Sequence, residues 1–327
     1  MRTFFILTVV VFLVYFTFTP VNGQEAFYPS EQRIFSTGAF ADLNAAYIGR
    51  WDQMHVGFER AKDWAGFEGN PESGVLYFDN HIGNTNSSFG LGFKFDKIAA
   101  FKRNAINFSY AYSIKFLDNG YRPLRLILGF QPALDFFRAD YEEVFSDLYP
   151  AAVPPEGLDQ TTFGINTGFL LTNGAYDEYV ENLWYAGLST RITGISLSEN
   201  SGITDLRYQE YILLSGLRQN LNNEDTYLDA TGFATFSLAG VDLGALLNFE
   251  KYNPNHEDNM GGWLGVGLKT NMQSSAGLKQ LIFQAGIISR LFEGKSQTLR
   301  IGFSMETDIG PYSFLGNRYG LLVAFSS

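Results

Sequence analysis

The chain of 327 residues has no cysteine, only three histidines and few charges, and beyond its first residues it has no long apolar run. Each shortage excludes something. Without Cys there is no disulfide framework and no thiolate metal site. Asp, Glu, Lys and Arg make up 17% of the chain, against about a quarter in ordinary soluble domains. A net charge of -11 argues against nucleic acid, whose binding needs clustered Lys and Arg. After Gln24 no stretch reaches the ~18 apolar residues of a transmembrane helix. That last absence leaves the membrane open, because a closed barrel also pairs every backbone N–H and C=O inside hydrocarbon. Its strands need only about 9–11 residues of alternating, not continuous, apolarity.

Phe, Tyr and Gly are plentiful, with 31 Phe, 18 Tyr and 34 Gly. Residues 1–23 differ from the rest: Met1-Arg2 is a short basic start, Phe4 to Phe18 is almost wholly apolar, and Pro20-Val21-Asn22-Gly23 precedes Gln24. This reads as a cleaved secretory signal peptide. It holds one Arg and no acid, so the chain that follows sits near -12. Residues 24–43 show no clear strand and read as a periplasmic or plug segment, with the barrel over 44–327.

The remainder alternates. In Asn104–Phe116, Ile106, Phe108, Tyr110, Tyr112, Ile114 and Phe116 fall on one side of an extended chain, with Ala105, Asn107, Ser109, Ala111 and Ser113 on the other. Ser88–Asp96 sets Phe89, Leu91, Phe93 and Phe95 against Gly90, Gly92 and Lys94. Trp184, Ala186, Leu188 and Ile192 oppose Tyr185, Gly187, Ser189 and Arg191. Fourteen such segments are expected, near 54–60, 74–79, 88–96, 105–116, 124–136, 161–171, 184–195, 208–218, 226–236, 241–250, 263–270, 281–291, 298–307 and 319–325. Pro132 lies inside the fifth, where it is expected to mark a bulge or the end of pairing. Turn-like pieces such as Asp118-Asn119-Gly120 separate the segments.

A soluble sandwich would carry Lys, Glu, Thr and Arg on its wet face. Here the less apolar face is mostly Gly, Ala, Ser and Asn, which suits a barrel interior, and the aromatic face suits lipid. The expected fold is therefore an all-β, antiparallel, up-and-down transmembrane barrel of 14 strands (range 12–16), located in the outer membrane of a Gram-negative cell. Closure removes free edges and stands in for the missing disulfides. The last strand closes on Phe325, followed by Ser326-Ser327.

No motif suggests catalysis. His55, His81 and His256 have no metal-ligand spacing, and no Ser-His-carboxylate set is visible. Gly90-Leu91-Gly92 has no following strand-to-helix turn, so it reads as barrel lining. Asn253–Asn259 departs from a calcium loop by placing Asp258 where Gly is needed. Neither enzyme activity nor a cofactor is expected.

From Asn44 onward the order of motifs resembles the PorP/SprF family, outer-membrane proteins of the type IX secretion system of Bacteroidota. The family's Asn-Pro-Ala-Tyr-Ala-Gly stretch appears as Asn44-Ala45-Ala46-Tyr47-Ile48-Gly49, without the Pro. Its Trp- and Gly-containing turn closed by Pro appears as Trp64, Gly66, Gly69 and Pro71, and an Asp after a short strand as Asp79. Its densest signature reads Gly90-Leu91-Gly92, then Asp96-Lys97-Ile98, then Tyr110-Ala111-Tyr112. The likeness is specific over roughly residues 40 to 116. It implies structural roles for these residues. It also implies a non-enzymatic partner in the secretion and surface attachment of a large secreted protein, of adhesin or gliding-motility type, recognised by its C-terminal sorting domain.

If the first strand rises from the periplasm, loops after odd strands lie outside. The longest of these, within Phe137–Gln160, carries Tyr141, Glu142, Phe145, Asp147 and Tyr149, and is the candidate partner-binding loop because aromatics dominate binding hot spots. Two rather long connections, Asn173–Leu183 and Lys251–Gly262, would face the periplasm, which means either a miscounted strand or a periplasmic partner. The alternative function is a passive channel or hydrophobic-solute transporter of similar form.

Overall fold

A computed structural model describes residues 37–50, 54–62, 71–83, 85–98, 101–117, 124–139, 158–173, 182–196, 208–221, 226–237, 240–252, 260–271, 279–290, 297–309 and 317–326. A short helix α1 (Thr37–Leu43) and a 3-10 helix (Ala45–Arg50) come first. Fourteen strands follow: β1 (His55–Lys62), β2 (Glu72–His81), β3 (Ser87–Ile98), β4 (Phe101–Leu117), β5 (Leu124–Ala139), β6 (Leu158–Thr172), β7 (Asn182–Ser196), β8 (Tyr208–Asn220), β9 (Thr226–Ser237), β10 (Gly240–Tyr252), β11 (Met260–Asn271), β12 (Lys279–Arg290), β13 (Thr298–Ile309) and β14 (Asn317–Ser326). Each overlaps one of the fourteen alternating segments.

Every strand pairs antiparallel with its neighbours in sequence, and β1 closes the ring on β14, from His55 opposite Ser326 to Lys62 opposite Tyr319. The ring has no free edge. The alternation fixes which way each strand faces. On β4, Ile106, Phe108, Tyr110 and Tyr112 are 41–49% exposed, while Ala105, Asn107, Ser109, Ala111 and Ser113 are at most 7% exposed. A one-residue slip would exchange the two sets, so the pattern specifies the register. The other strands repeat the arrangement: Leu213, Leu247, Phe249, Leu264, Val266 and Phe303 point out, and Glu210, Glu250, Gln284 and Arg218 point in.

Pro132 neither ends β5 nor bulges it. The β4–β5 register is the same on both sides of it, from Asn107 opposite Ala133 to Tyr110 opposite Phe130, and only the intervening pairs are missing. Proline has no N–H to give to a ladder. Beside the gap, Gln131 Nε2 donates to Ser109 Oγ at 2.7 Å and joins the two strands by side chains instead. Real bulges occur elsewhere. Opposite Phe163–Ile165 the chain of β7 runs from Ile192 to Ile195, one residue more. The bulge holds Gly194 at φ 79°, a left-handed conformation that glycine adopts without a Cβ penalty. At the C-terminal end, Ser326 closes the last strand, its Oγ 2.5 Å from Thr298 Oγ1.

The strand count also bears on the two long connections. With fourteen strands, the β6–β7 and β10–β11 connections lie at the same end of the barrel as the start of β1 and the end of β14. No strand is miscounted.

Candidate functional site: the stoppered lumen

The wall begins at His55, so Asn44–Arg50 belongs to the segment before the barrel, although the sequence reading started the barrel at Asn44. These seven residues do not alternate; they coil, and every one of them is buried. Asn44 starts the coil. Its Oδ1 accepts the Ala46 N–H at 2.9 Å, capping the 3-10 helix, and its Nδ2 donates to Phe169 O of β6 at 3.1 Å.

The segment lies inside the ring. Asn166 Nδ2 donates to Asp42 O at 2.9 Å, and Ser189 Oγ donates to Leu43 O at 2.5 Å. The Asp42 carboxylate pairs with Lys94 of β3 and lies 3.6 Å from Arg191 of β7, which also binds Glu210 through Nε at 2.8 Å. One carboxylate thus links two strands across the lumen.

The wall is shaped to receive this segment. A Cβ at Gly129 of β5 would collide with the backbone of Ala45–Ala46. At Gly168 of β6 and Gly187 of β7 it would collide with the Asn44 side chain and the neighbouring strand. Gly129 is opposite Gly168, and Gly187 follows one step along on β7, so the three make a slot across adjacent strands.

The far side of the segment is aromatic. Tyr47 packs on Phe40 (centroids 5.5 Å) and edge-on against Tyr185 of β7 (5.7 Å). The Arg50 guanidinium lies 4.3 Å from the Tyr47 ring centroid and 4.4 Å from that of Tyr185. A desolvated cation held this way is worth up to about 2 kcal/mol per ring.

Opposite, long charged side chains fill the lumen. Arg218 Nη1 donates to Asp229 at 2.6 Å and its Nη2 to Glu250 at 3.0 Å; Arg300 Nη1 donates to the other oxygen of Glu250 at 2.5 Å. Arg218 also stacks over Tyr227 at 4.3 Å. Between this network and the inserted segment lies a cavity of ≈ 60 Å³ lined by Tyr47, Arg50, Asp229, Glu250, Trp263 and Arg300. At about 10–15 Å³ per water it has room for a few waters.

The sequence-predicted residues divide into groups. Asn44 and Tyr47 build the stopper. Asp79 points inward and pairs with His55 Nδ1 at 3.0 Å. Gly90 and Gly92 line the wall, and the Asn107 side chain lies over Gly92. Asp96 stands on the inward row of β3, opposite Arg103, and Pro71 is buried just before β2. Tyr110 and Tyr112 point outward, and the Tyr110 and Ser87 hydroxyls are 2.9 Å apart. Trp64, Gly66, Gly69, Tyr141, Glu142, Phe145, Asp147 and Tyr149 lie outside the described residues, as does the signal-peptide region.

Sequence reasoning gave the luminal charges no role, although it set Arg191 on the inward face. Arg191, Glu210, Arg218, Glu250 and Arg300 all fall on inward positions, and that one-sidedness was a readable signal. Among the described residues no group of three or more metal-ligating side chains occurs.

A closed ring that is apolar outside, polar inside and stoppered by its own leading segment defines an outer-membrane β-barrel. A family profile described as "Type IX secretion system membrane protein PorP/SprF" matches residues 42–325, from within α1 to the last strand. The chain belongs to that family of type IX secretion system membrane proteins, as the motifs implied. Among solved structures it is similar to the CymD monoaromatic hydrocarbon channel (11% identity, 88% of this chain and 91% of that one, TM-score 0.51). It is also similar to a Pseudomonas aeruginosa FadL homologue (10%, 88% and 93%, TM-score 0.49) and to the Pseudomonas putida toluene transporter TodX (9%, 88% and 93%, TM-score 0.47). At 11% identity the likeness to the CymD channel is one of fold alone. No curated protein matches the chain.

Proposed function

We propose that this barrel is a non-enzymatic docking protein that partners the secretion and surface attachment of a large adhesin or gliding-type protein by binding its C-terminal sorting domain. The observation that carries the reading is the occupied lumen. A barrel whose interior holds α1, the 3-10 helix and a charge network has its loops and outer wall left for recognition. The Phe137–Gln160 connection, with Tyr141, Glu142, Phe145, Asp147 and Tyr149, is the first candidate for contact. Membership of a family of type IX secretion system membrane proteins supports this reading. Deleting the gene should leave a large secreted protein missing from the cell surface or released to the medium. An unchanged surface proteome would overturn the reading. The alternative, a passive channel or hydrophobic-solute transporter, needs a path where the stopper sits, and liposome swelling separates the two.

A further inference from the structure

The outward face of β1–β6 ends in an ordered row of charges at the rim away from the chain's C-terminal end. Lys62 is opposite Glu72, Glu72 opposite Lys97, Lys97 opposite Lys102, Lys102 opposite Arg138, and Arg138 opposite Asp159. Six adjacent strands thus contribute one register position each, four cations and two acids. Glu72 is taken by Arg60, one turn of the pleat away, and Asp159 stands 3.9 Å from Arg138. Among the described residues Lys62, Lys97 and Lys102 have no carboxylate partner.

Like charges placed directly opposite one another destabilise a sheet. Here Lys97, Lys102 and Arg138 stand so on three consecutive strands, about 4.8 Å apart each. The chain as a whole carries -11, so the concentration is not a product of general basicity. On the outward rows of the opposite rim the described residues provide Lys251 alone.

The position matters as much as the charge. The next outward row is Arg60, Gly74, Phe95, Asn104, Phe136 and Thr161, whose one cation is paired with Glu72, and the one after it is Phe58, Leu76, Phe93, Ile106, Leu134 and Phe163. Cations therefore give way to a wholly apolar, lipid-facing surface within two steps, about 13 Å along the strand. The row thus lies at the edge of the apolar surface, level with the interface that flanks a barrel's lipid-facing band. We propose that Lys62, Lys97, Lys102 and Arg138 bind the phosphate of an anionic membrane-lipid headgroup, whose charge relieves the cation row while its chains lie on the apolar rows beneath. The lipid itself would then fix the depth and tilt of this side of the barrel.

The test is native mass spectrometry of the purified full-length protein in detergent, titrated with phosphatidylglycerol or with zwitterionic phosphatidylcholine. The protein should retain phosphatidylglycerol in preference. The triple variant Lys97→Gln, Lys102→Gln, Arg138→Gln should retain it roughly 100-fold more weakly, at about fivefold per cation, and Lys251→Gln should match the parent. Should the triple variant fail to show the heat-modifiable mobility of a folded barrel, Lys102→Gln alone should still weaken retention about fivefold. Equal retention of the two lipids, or no loss in the variants, overturns the proposal. So does displacement of the lipid by millimolar inorganic phosphate, which would make the row a free-anion site, or preference for a polyglutamate peptide, which would make it a protein-docking surface.

Discussion

The two sides of the lumen solve the same problem with opposite chemistry. Along β5–β7 the wall recedes to glycine, and a coil of backbone is pressed into the slot. Along β8–β13 the wall projects, and Arg218, Asp229, Glu250 and Arg300 reach inward to meet each other. The first side is held by shape, through Gly129, Gly168, Gly187 and the Asn44 hydrogen bonds. The second is held by charge. The Arg50 guanidinium, between Tyr47 and Tyr185 and facing Asp229 and Glu250 across the small cavity, is where they join. A slot tolerates no added atoms, whereas an ion network tolerates no removed charge.

Substitutions separate the two. Glu250→Gln should have the largest effect, because it neutralises the buried carboxylate that Arg218 and Arg300 share, although Arg218 keeps Asp229; breaking a buried ion pair costs about 3–5 kcal/mol. Urea unfolding of the detergent-solubilised barrel measures it, and a loss under about 1 kcal/mol would show that the network is solvated after all. Phe108→Arg, on the lipid side, should cost about 2–4 kcal/mol in the same assay if that face meets hydrocarbon, and nearly nothing if it meets water. Gly129→Val should cost about 1–3 kcal/mol by overpacking and should expose the stopper, so protease cleavage within residues 37–50 should accelerate while Glu250→Gln leaves it slow. Cleavage unchanged by Gly129→Val would refute the slot. Asp42→Asn keeps the shape and removes one charge, and Arg191 retains Glu210. Its cost should be about 1–2 kcal/mol. Smallest is Tyr110→Phe: its exposed hydroxyl contact with Ser87 is worth under about 1 kcal/mol, and a larger loss would place Tyr110 in an interface.

The same contrast explains what the sequence could disclose. The wall was legible because its signal has period two and repeats fourteen times; Ile106 to Phe116 on β4 shows it without fault. The charge side was half legible, since Arg218, Glu250 and Arg300 stand on inward positions, but pairing Arg218 with Glu250 requires knowing that their strands lie two apart in the ring. The shape side was not legible. Ala45-Ala46-Tyr47-Ile48-Gly49 is too short and too small to show a helical period, and Gly129, Gly168 and Gly187 look like any barrel-lining glycines. Their meaning comes from register, which aligns them across three strands. Pro132 misled for a related reason: a barrel wall can lose one ladder step locally and bridge it with Gln131 and Ser109.

The family signature falls on both sides of this division. Asn44 and Tyr47 make the stopper, while Tyr110 and Tyr112 face the bilayer. These four residues therefore serve the barrel's own architecture.

Planar-bilayer recording of the purified full-length protein tests most directly whether the segment before β1 seals the barrel. Insertion without stable open-channel steps is the predicted result. Steady conductance steps of an open pore in the unmodified protein would contradict it.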